Sequence, residues 1–174
     1  MKSVIKLSQL SPVLIRSIQE IVNEQSICKL LYYNDNDPLN QDDLSIPADF
    51  LVKQGSDDQK IFAYPFNPEV SIDDASHLRI FYPEGDFKER VLEYNGLVFD
   101  IIVSKNLWLI RDIDNNLSIR PYEILSRIVN LFYDRDFGIG TKVNFIKYSH
   151  TFVNDHFDGV RLFANLVHFK SGKK

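Results

Sequence analysis

Val91-Leu92-Glu93-Tyr94-Asn95-Gly96-Leu97-Val98-Phe99-Asp100-Ile101-Ile102-Val103 reads as two short apolar runs on either side of an Asn-Gly pair. β-Branched and aromatic side chains suit a pleated surface, and Asn-Gly accepts the positive φ of a tight turn, so this stretch predicts strands and at least one hairpin. Working outward towards the N-terminus, Lys60–Tyr64 before Pro65 and His77–Tyr82 before Pro83 are runs of the same kind. On the other side, Thr141–Tyr148 and Val160–Phe169 predict two final strands around the polar tip Asn154-Asp155-His156 and the turn residues Asp158-Gly159. In the last strand Val160, Leu162, Ala164 and Leu166 alternate with Arg161, Phe163, Asn165 and Val167. Both faces are mixed, so the strand is expected to be covered on each side.

Helices enclose these strands in the chain order. Ser11-Pro12 offers a capping hydroxyl followed by a residue that needs no amide partner in a first turn. Leu14, Ile18, Ile21, Val22, Cys28 and Leu31 then follow the 3.6-residue period, which predicts one helix running to about Tyr33. It must stop there, because Asn34-Asp35-Asn36-Asp37-Pro38 is dense in turn formers and Pro38 disfavours a helical residue before it. A second helix is predicted from Arg120-Pro121, with Ile124, Leu125, Ile128, Leu131 and Phe132 on its apolar face and Gly138 and Gly140 as its end. From Leu39 to Gln59 no period is sustained, so residues 39–59 are expected to be an extended polar loop or arm. The order of elements predicts a single α+β domain over 1–174, with a mainly antiparallel sheet flanked by two helices.

The 174 residues and 20.3 kDa suit one core of ordinary size. With 44% hydrophobic and 25% charged residues the chain can bury enough apolar surface to offset its conformational entropy, which excludes wholesale disorder. Aromatics reach 13%, an abundance that serves cores and protein contacts. The net charge of -4 gives no global attraction for phosphate, and Lys170-Ser171-Gly172-Lys173-Lys174 is a short cationic end. One cysteine excludes an intramolecular disulfide and a cysteine-rich zinc site, and points to a reducing compartment. Neither a signal peptide nor a stretch near the roughly 20 apolar residues of a membrane helix is evident, so a soluble, unsecreted protein with no membrane partner is expected.

Residue patterns that carry chemistry are sparse. Asp112-Ile113-Asp114-Asn115-Asn116-Leu117-Ser118-Ile119-Arg120-Pro121-Tyr122-Glu123 imitates a calcium loop, but Leu117 stands where the sharp turn needs glycine, so a strand-to-helix turn is the better reading. His77, His150, His156 and His168 have no metal-ligand spacing; His150 and His156 flank one predicted hairpin and meet only if its register allows. Asp73 or Asp74 with Asp86-Phe87-Lys88 is the nearest approach to a metal-dependent nuclease, in which two carboxylates hold an ion and a lysine steadies the attacking water. No phosphate loop, nucleophile elbow or Cys-His pair is present, so neither catalytic, cofactor nor metal residues are assigned. Asp35, Asp37, Asp42 and Asp43, with Phe50 beside them, are the candidate contact residues.

Two sets of local phrases bring a family into view. Ile27-Cys28-Lys29-Leu30-Leu31-Tyr32-Tyr33 followed by Asn36-Asp37-Pro38-Leu39 resembles the first helix and loop of neck proteins from tailed bacteriophages. The Arg120-Pro121 helix, Gly138-Ile139-Gly140, and Phe157-Asp158-Gly159-Val160 through Phe169 resemble the tail-terminator or tail-completion family. The resemblance implies a non-enzymatic virion protein assembled in the host cytoplasm. It implies a homo-oligomeric ring, commonly a hexamer, that caps the tail tube or sheath, joins the head connector and lets genomic DNA pass without specific binding. A head-closure or connector role in the same neck is the neighbouring expectation, and the Asp74, Asp86, Lys88 nuclease stands further off.

Overall fold

The computed structural model describes residues 7–65, 73–88, 91–133, 135–136 and 141–168. The first helix begins one residue before the expected cap: a 3-10 turn over Leu7–Gln9 leads into α1, Leu10–Val22, so Gln9 rather than Ser11 takes the N-cap position. The single helix predicted to reach Tyr33 is two helices, because the chain breaks at Asn23-Glu24 and resumes as α2, Gln25–Tyr32. Glu24 adopts extended backbone angles and its carboxylate accepts from the Ser26 amide at 3.3 Å and the Ser26 hydroxyl at 2.7 Å, which caps α2. Apolar spacing runs on either side of this corner and therefore conceals it. Cys28 sits inside the corner with Sγ 3.5 Å from the Ile21 and Val22 carbonyls. Burial, helped by Glu24, pushes its thiol up to about 12, which leaves it unreactive. The helix then stops at Tyr33 as predicted.

Residues 39–59 are packed rather than extended, a correction to the expected arm. Pro38–Asn40 forms a 3-10 turn, Pro47–Leu51 forms a short helix, α3, and Leu39, Leu44 and Leu51 are buried in the main core. Gln25 clamps the backbone of Leu44 from both sides, donating to its carbonyl at 2.9 Å and accepting from its amide at 3.0 Å. Isolated leucines anchored in this way need no periodicity, so a search for periods passes over them.

Eight strands follow: β1 Ile61–Phe62, β2 Ser76–Phe81, β3 Gly85–Lys88, β4 Val91–Ser104, β5 Leu109–Arg111, β6 Leu117–Ile119, β7 Thr141–Phe152 and β8 Phe157–His168. Six of them form one sheet in the order β1-β2-β4-β8-β7, with β3 paired to the early part of β4. Every pairing in it is antiparallel except β1 with β2. The α+β class with a mainly antiparallel sheet is therefore the observed one. Asn95-Gly96 is no turn: both residues lie inside β4, where Asn95 pairs with Gly85 and Gly96 with Asn165. The strand pair found here is β3 with β4, antiparallel, with Lys88 opposite Val91. Asp158-Gly159 also lies inside a strand, and Gly159 is there for closeness, since a Cβ would stand 2.3 Å from the Ile101 carbonyl oxygen on β4.

Leu78 and Ile80 of β2, Leu97, Phe99, Ile101 and Val103 of β4, and Leu162, Ala164 and Leu166 of β8 form the inner face, on which α1, α2 and α4 pack. The last helix, α4, spans Arg120–Phe132, with Ile124, Ile128 and Phe132 buried and Leu125 and Leu131 packed at its flank. It ends at Phe132, ahead of the predicted stop; Gly138 and Gly140 lie outside the described residues. Arg120, wholly buried, opens α4 and ties the layers together. Its guanidinium donates to the carbonyls of Leu107 (3.0 Å), Leu30 (2.9 Å), Tyr33 (2.6 Å) and Asp35. Three of these acceptors belong to the end of α2 and the turn after it, where helical carbonyls lack amide partners. Arg120 supplies the missing donors.

Candidate functional site

The residues marked out by sequence are dispersed, and most have structural partners. Asp74 precedes β2, whose Ser76 pairs with Val103, whereas Asp86 pairs with Tyr94. Nine residues of β4 separate those two register positions, roughly 30 Å at about 3.3 Å per residue. The two carboxylates of the nuclease reading therefore stand at opposite ends of one strand and cannot share an ion. Asp74 instead faces His156, with Oδ1 3.2 Å from Nε2. In the calcium-like segment, Asp112 Oδ1 accepts from the Asp114 and Asn116 amides at 2.9 and 2.8 Å, and Asn115 has φ 65°. That carboxylate closes the β5–β6 turn.

His150 and His156 do not meet: His150 pairs with Val160 in β7 and β8 and its Nε2 lies 2.8 Å from Asp158 Oδ1, while His156 is at the hairpin tip. His77 is largely enclosed, and burial, reinforced by Arg79 and Lys60, pushes its imidazole down to about 3. The side chain of His168 lies outside the described residues. Among the described residues no group of three or more His, Cys, Asp or Glu side chains is placed to hold a metal ion. Among them, too, no helix is long and apolar enough to cross a membrane.

The candidate contact residues fall into two groups. Asp35 and Asp37 build the turn after α2, Asp35 Oδ1 accepting from the Asp37 amide at 2.9 Å and Asp37 Oδ1 from Asn40 at 2.7 Å. Asp42 offers its carbonyl to the Tyr33 hydroxyl at 2.8 Å, and Asp43 is ion-paired with Lys29 at 2.7 Å. Phe50 is exposed on α3 and meets the Tyr32 ring edge-on at 6.1 Å. Each of the five thus has its own partner near the end of α2, and the structure does not converge them on a single point.

A different surface is assembled by the fold. In the β5–β6 hairpin Leu109 pairs with Ile119 and Arg111 with Leu117, and these four point away from the core while Ile110 between them is buried. Leu109 is 58% exposed, Leu117 68% and Ile113 at the tip 70%. Next to Ile119, Tyr122 at the start of α4 meets Tyr148 of β7 edge-on at 6.2 Å, and Trp108 lies 6.1 Å from His150. The ridge ends at Phe152, whose ring lies 5.4 Å from Lys105 Nζ.

A β-bulge aims the aromatic half of that ridge. The register of β7 shifts between Phe145 and Lys147, so Tyr148 pairs with Leu162 and His150 with Val160, both on the inner face. Without the extra residue, alternation from Phe145 would turn Tyr148 and His150 to the other side of the sheet. β7 is also an edge strand: among the described residues its pairing beyond β8 is the single bridge Asp136–Lys142 at its start. Sequence reading missed this surface, although the alternation in Leu109, Arg111, Leu117 and Ile119 about a turn was visible, because exposure is decided by which side the helices occupy.

No curated protein matches the chain. The family model YomW matches residues 24–166, a span that takes in α2, every strand of the sheet and the whole of the apolar ridge. The chain belongs to the YomW family, a phage-type protein family of the Bacillus phage SPBc2 region.

Proposed function

We propose that the chain is a non-enzymatic structural subunit of the bacteriophage head–tail neck, a tail terminator that forms a homo-oligomeric, hexameric ring on the tail tube or sheath and meets the head connector. The observation that carries this reading is the apolar ridge from Leu109, Ile113, Leu117 and Ile119 over Tyr122 and Tyr148 to Phe152, on and beside β7, which among the described residues is an edge strand of the sheet. Exposed apolar surface beside an edge strand is costly for a solitary domain and suits a subunit that buries it against neighbours. Membership in a phage-type family supports the virion setting, and the separation of Asp74 from Asp86 weighs against the nuclease. The net charge of -4 suits a lumen through which DNA slides without adhering. Head closure or connection is the sister role in the same neck.

The test is the native mass of the purified chain, alone and after mixing with tail tubes of a phage that encodes it. A closed ring, or ragged tubes converted to uniform capped ends, is the expected result. A monomer that leaves tubes and connectors unchanged overturns the reading.

A further inference from the structure

A ring made by rotation needs two different patches on each subunit, one to insert and one to receive. The β5–β6 hairpin is a protruding element whose inner side is anchored in the core by Ile110 while Leu109, Ile113 and Leu117 leave its outward side apolar and exposed. On another part of the molecule, α1 and α3 enclose an apolar groove of about 360 Å³ lined by Ile15, Ile18, Val22, Ala48 and Val52. Asp49 and Lys53 stand at its rim. The hairpin carries the matching pair, since Arg111 lies on its outward face and Asp114 at its tip, both exposed.

We propose that the β5–β6 hairpin of one copy seats in the α1–α3 groove of the next, placing Ile113 and Leu117 between Ile15 and Val52 and setting Arg111 against Asp49 and Asp114 against Lys53. The occupant is a second copy of this chain because the opposite charges lie beside apolar surface on both patches, which fixes orientation as well as contact. The hairpin is fixed beside the end of α2 by the Arg111 amide, which donates to the Asn36 carbonyl at 2.7 Å. This inference rests on the ring reading and specifies how subunits meet.

Two full-length variants test it. Ile113→Asp with Leu117→Asp disables the hairpin, and Ile15→Asp with Ala48→Arg disables the groove. Each is expected to raise the concentration needed for assembly about tenfold or more, because charge is forced into an apolar contact. Mixing the two is expected to yield heterodimers and nothing larger, since one intact hairpin and one intact groove remain. Circular dichroism and melting profiles like wild type show that the variants fold. Independently, Lys53→Glu and Asp114→Lys each weaken assembly, and the two together in one chain restore it. If wild type assembles while these variants assemble equally well, or the mixture gives no heterodimer, the hairpin-in-groove contact is overturned and the ring reading stands. If wild type stays monomeric even on tail tubes, both fall together.

Discussion

Arg120 and Arg161 are two guanidiniums held by opposite means. Arg120 is wholly buried and bonded to four backbone carbonyls, whereas Arg161, on the outward side of the sheet, grips Asp100 through two bonds of 2.5 and 2.6 Å and remains partly in water. Burial lowers the pKa of Arg120 to about 10, with Asp35 opposing it; hydrogen bonding to Asp100 raises that of Arg161. At neutral pH both stay charged. The difference follows from what each neighbourhood lacks. The end of α2 leaves carbonyls without donors, so a fork of N–H groups is what it needs. The sheet backbone is already paired, so charge there is matched by charge, with Arg79 directly opposite Asp100 in the β2–β4 register.

Replacing Arg120 should therefore be the most damaging change. Arg120→Met keeps much of the apolar stem but strips the carbonyls of Leu30, Tyr33, Asp35 and Leu107 of their donor, and is expected to cost about 3–5 kcal/mol in chemical denaturation. Arg120→Lys should recover only part of this, because an ammonium cannot reproduce the planar fork. Full stability in Arg120→Met would mean that water satisfies those carbonyls equally well, and the contrast between the two arginines would collapse.

On the sheet the carboxylate, not the arginine, should dominate. Asp100→Asn removes charge from between Arg79 and Arg161 and is expected to cost about 2–4 kcal/mol, whereas Arg161→Met should cost about 1 kcal/mol because Arg161 is partly solvated and Asp100 keeps Arg79 opposite. Equal costs in parallel unfolding curves would break that asymmetry. Gly159→Ala probes the same face sterically, and its Cβ at 2.3 Å from the Ile101 carbonyl oxygen predicts about 1–3 kcal/mol as the strands are forced apart.

Acid sharpens the comparison further, because His77 on the outward face is buried and stands beside the cations Arg79 and Lys60. His77 is held down to about 3 in the folded chain, against 6.5 for its ordinary value, so only the unfolded chain binds its proton between those limits. Its contribution to stability is complete above pH 6.5 and is lost as pH falls towards 3, at about 1.4 kcal/mol per pH unit. Denaturation at pH 7, 6, 5 and 4 should show that slope in wild type and its reduction in His77→Phe. An unchanged slope in the variant would assign the acid sensitivity to other groups.

Legibility in the sequence followed the range of the forces involved. Apolar period and turn chemistry act locally, so the α4 face of Ile124, Ile128 and Phe132, the stop at Tyr33, the strands β2, β7 and β8, and the α+β class could be read from residue order. The break at Asn23-Glu24 escaped because the period continues through it, and the packing of Leu39, Leu44 and Leu51 escaped because isolated anchors have no period. Asn95-Gly96 misled for a related reason. A turn signal expresses a tolerance for positive φ, and pairing on both edges of β4 holds those residues extended. Of the candidate contact residues, Asp35 and Asp37 were drawn from a cluster whose acids prove to build a turn.

By itself the sequence determined the α+β class, the burial of its one cysteine within an apolar helical pattern, and a phage-type kinship. Only the tertiary structure decided which apolar residues remain in water. The choice of sheet face belongs to the helices, the reorientation of Tyr148 and His150 to one extra residue in β7, and the separation of Asp74 from Asp86 to the length of β4. Exposure is a property of how layers cover one another, and residue order alone contains no record of which layer is absent.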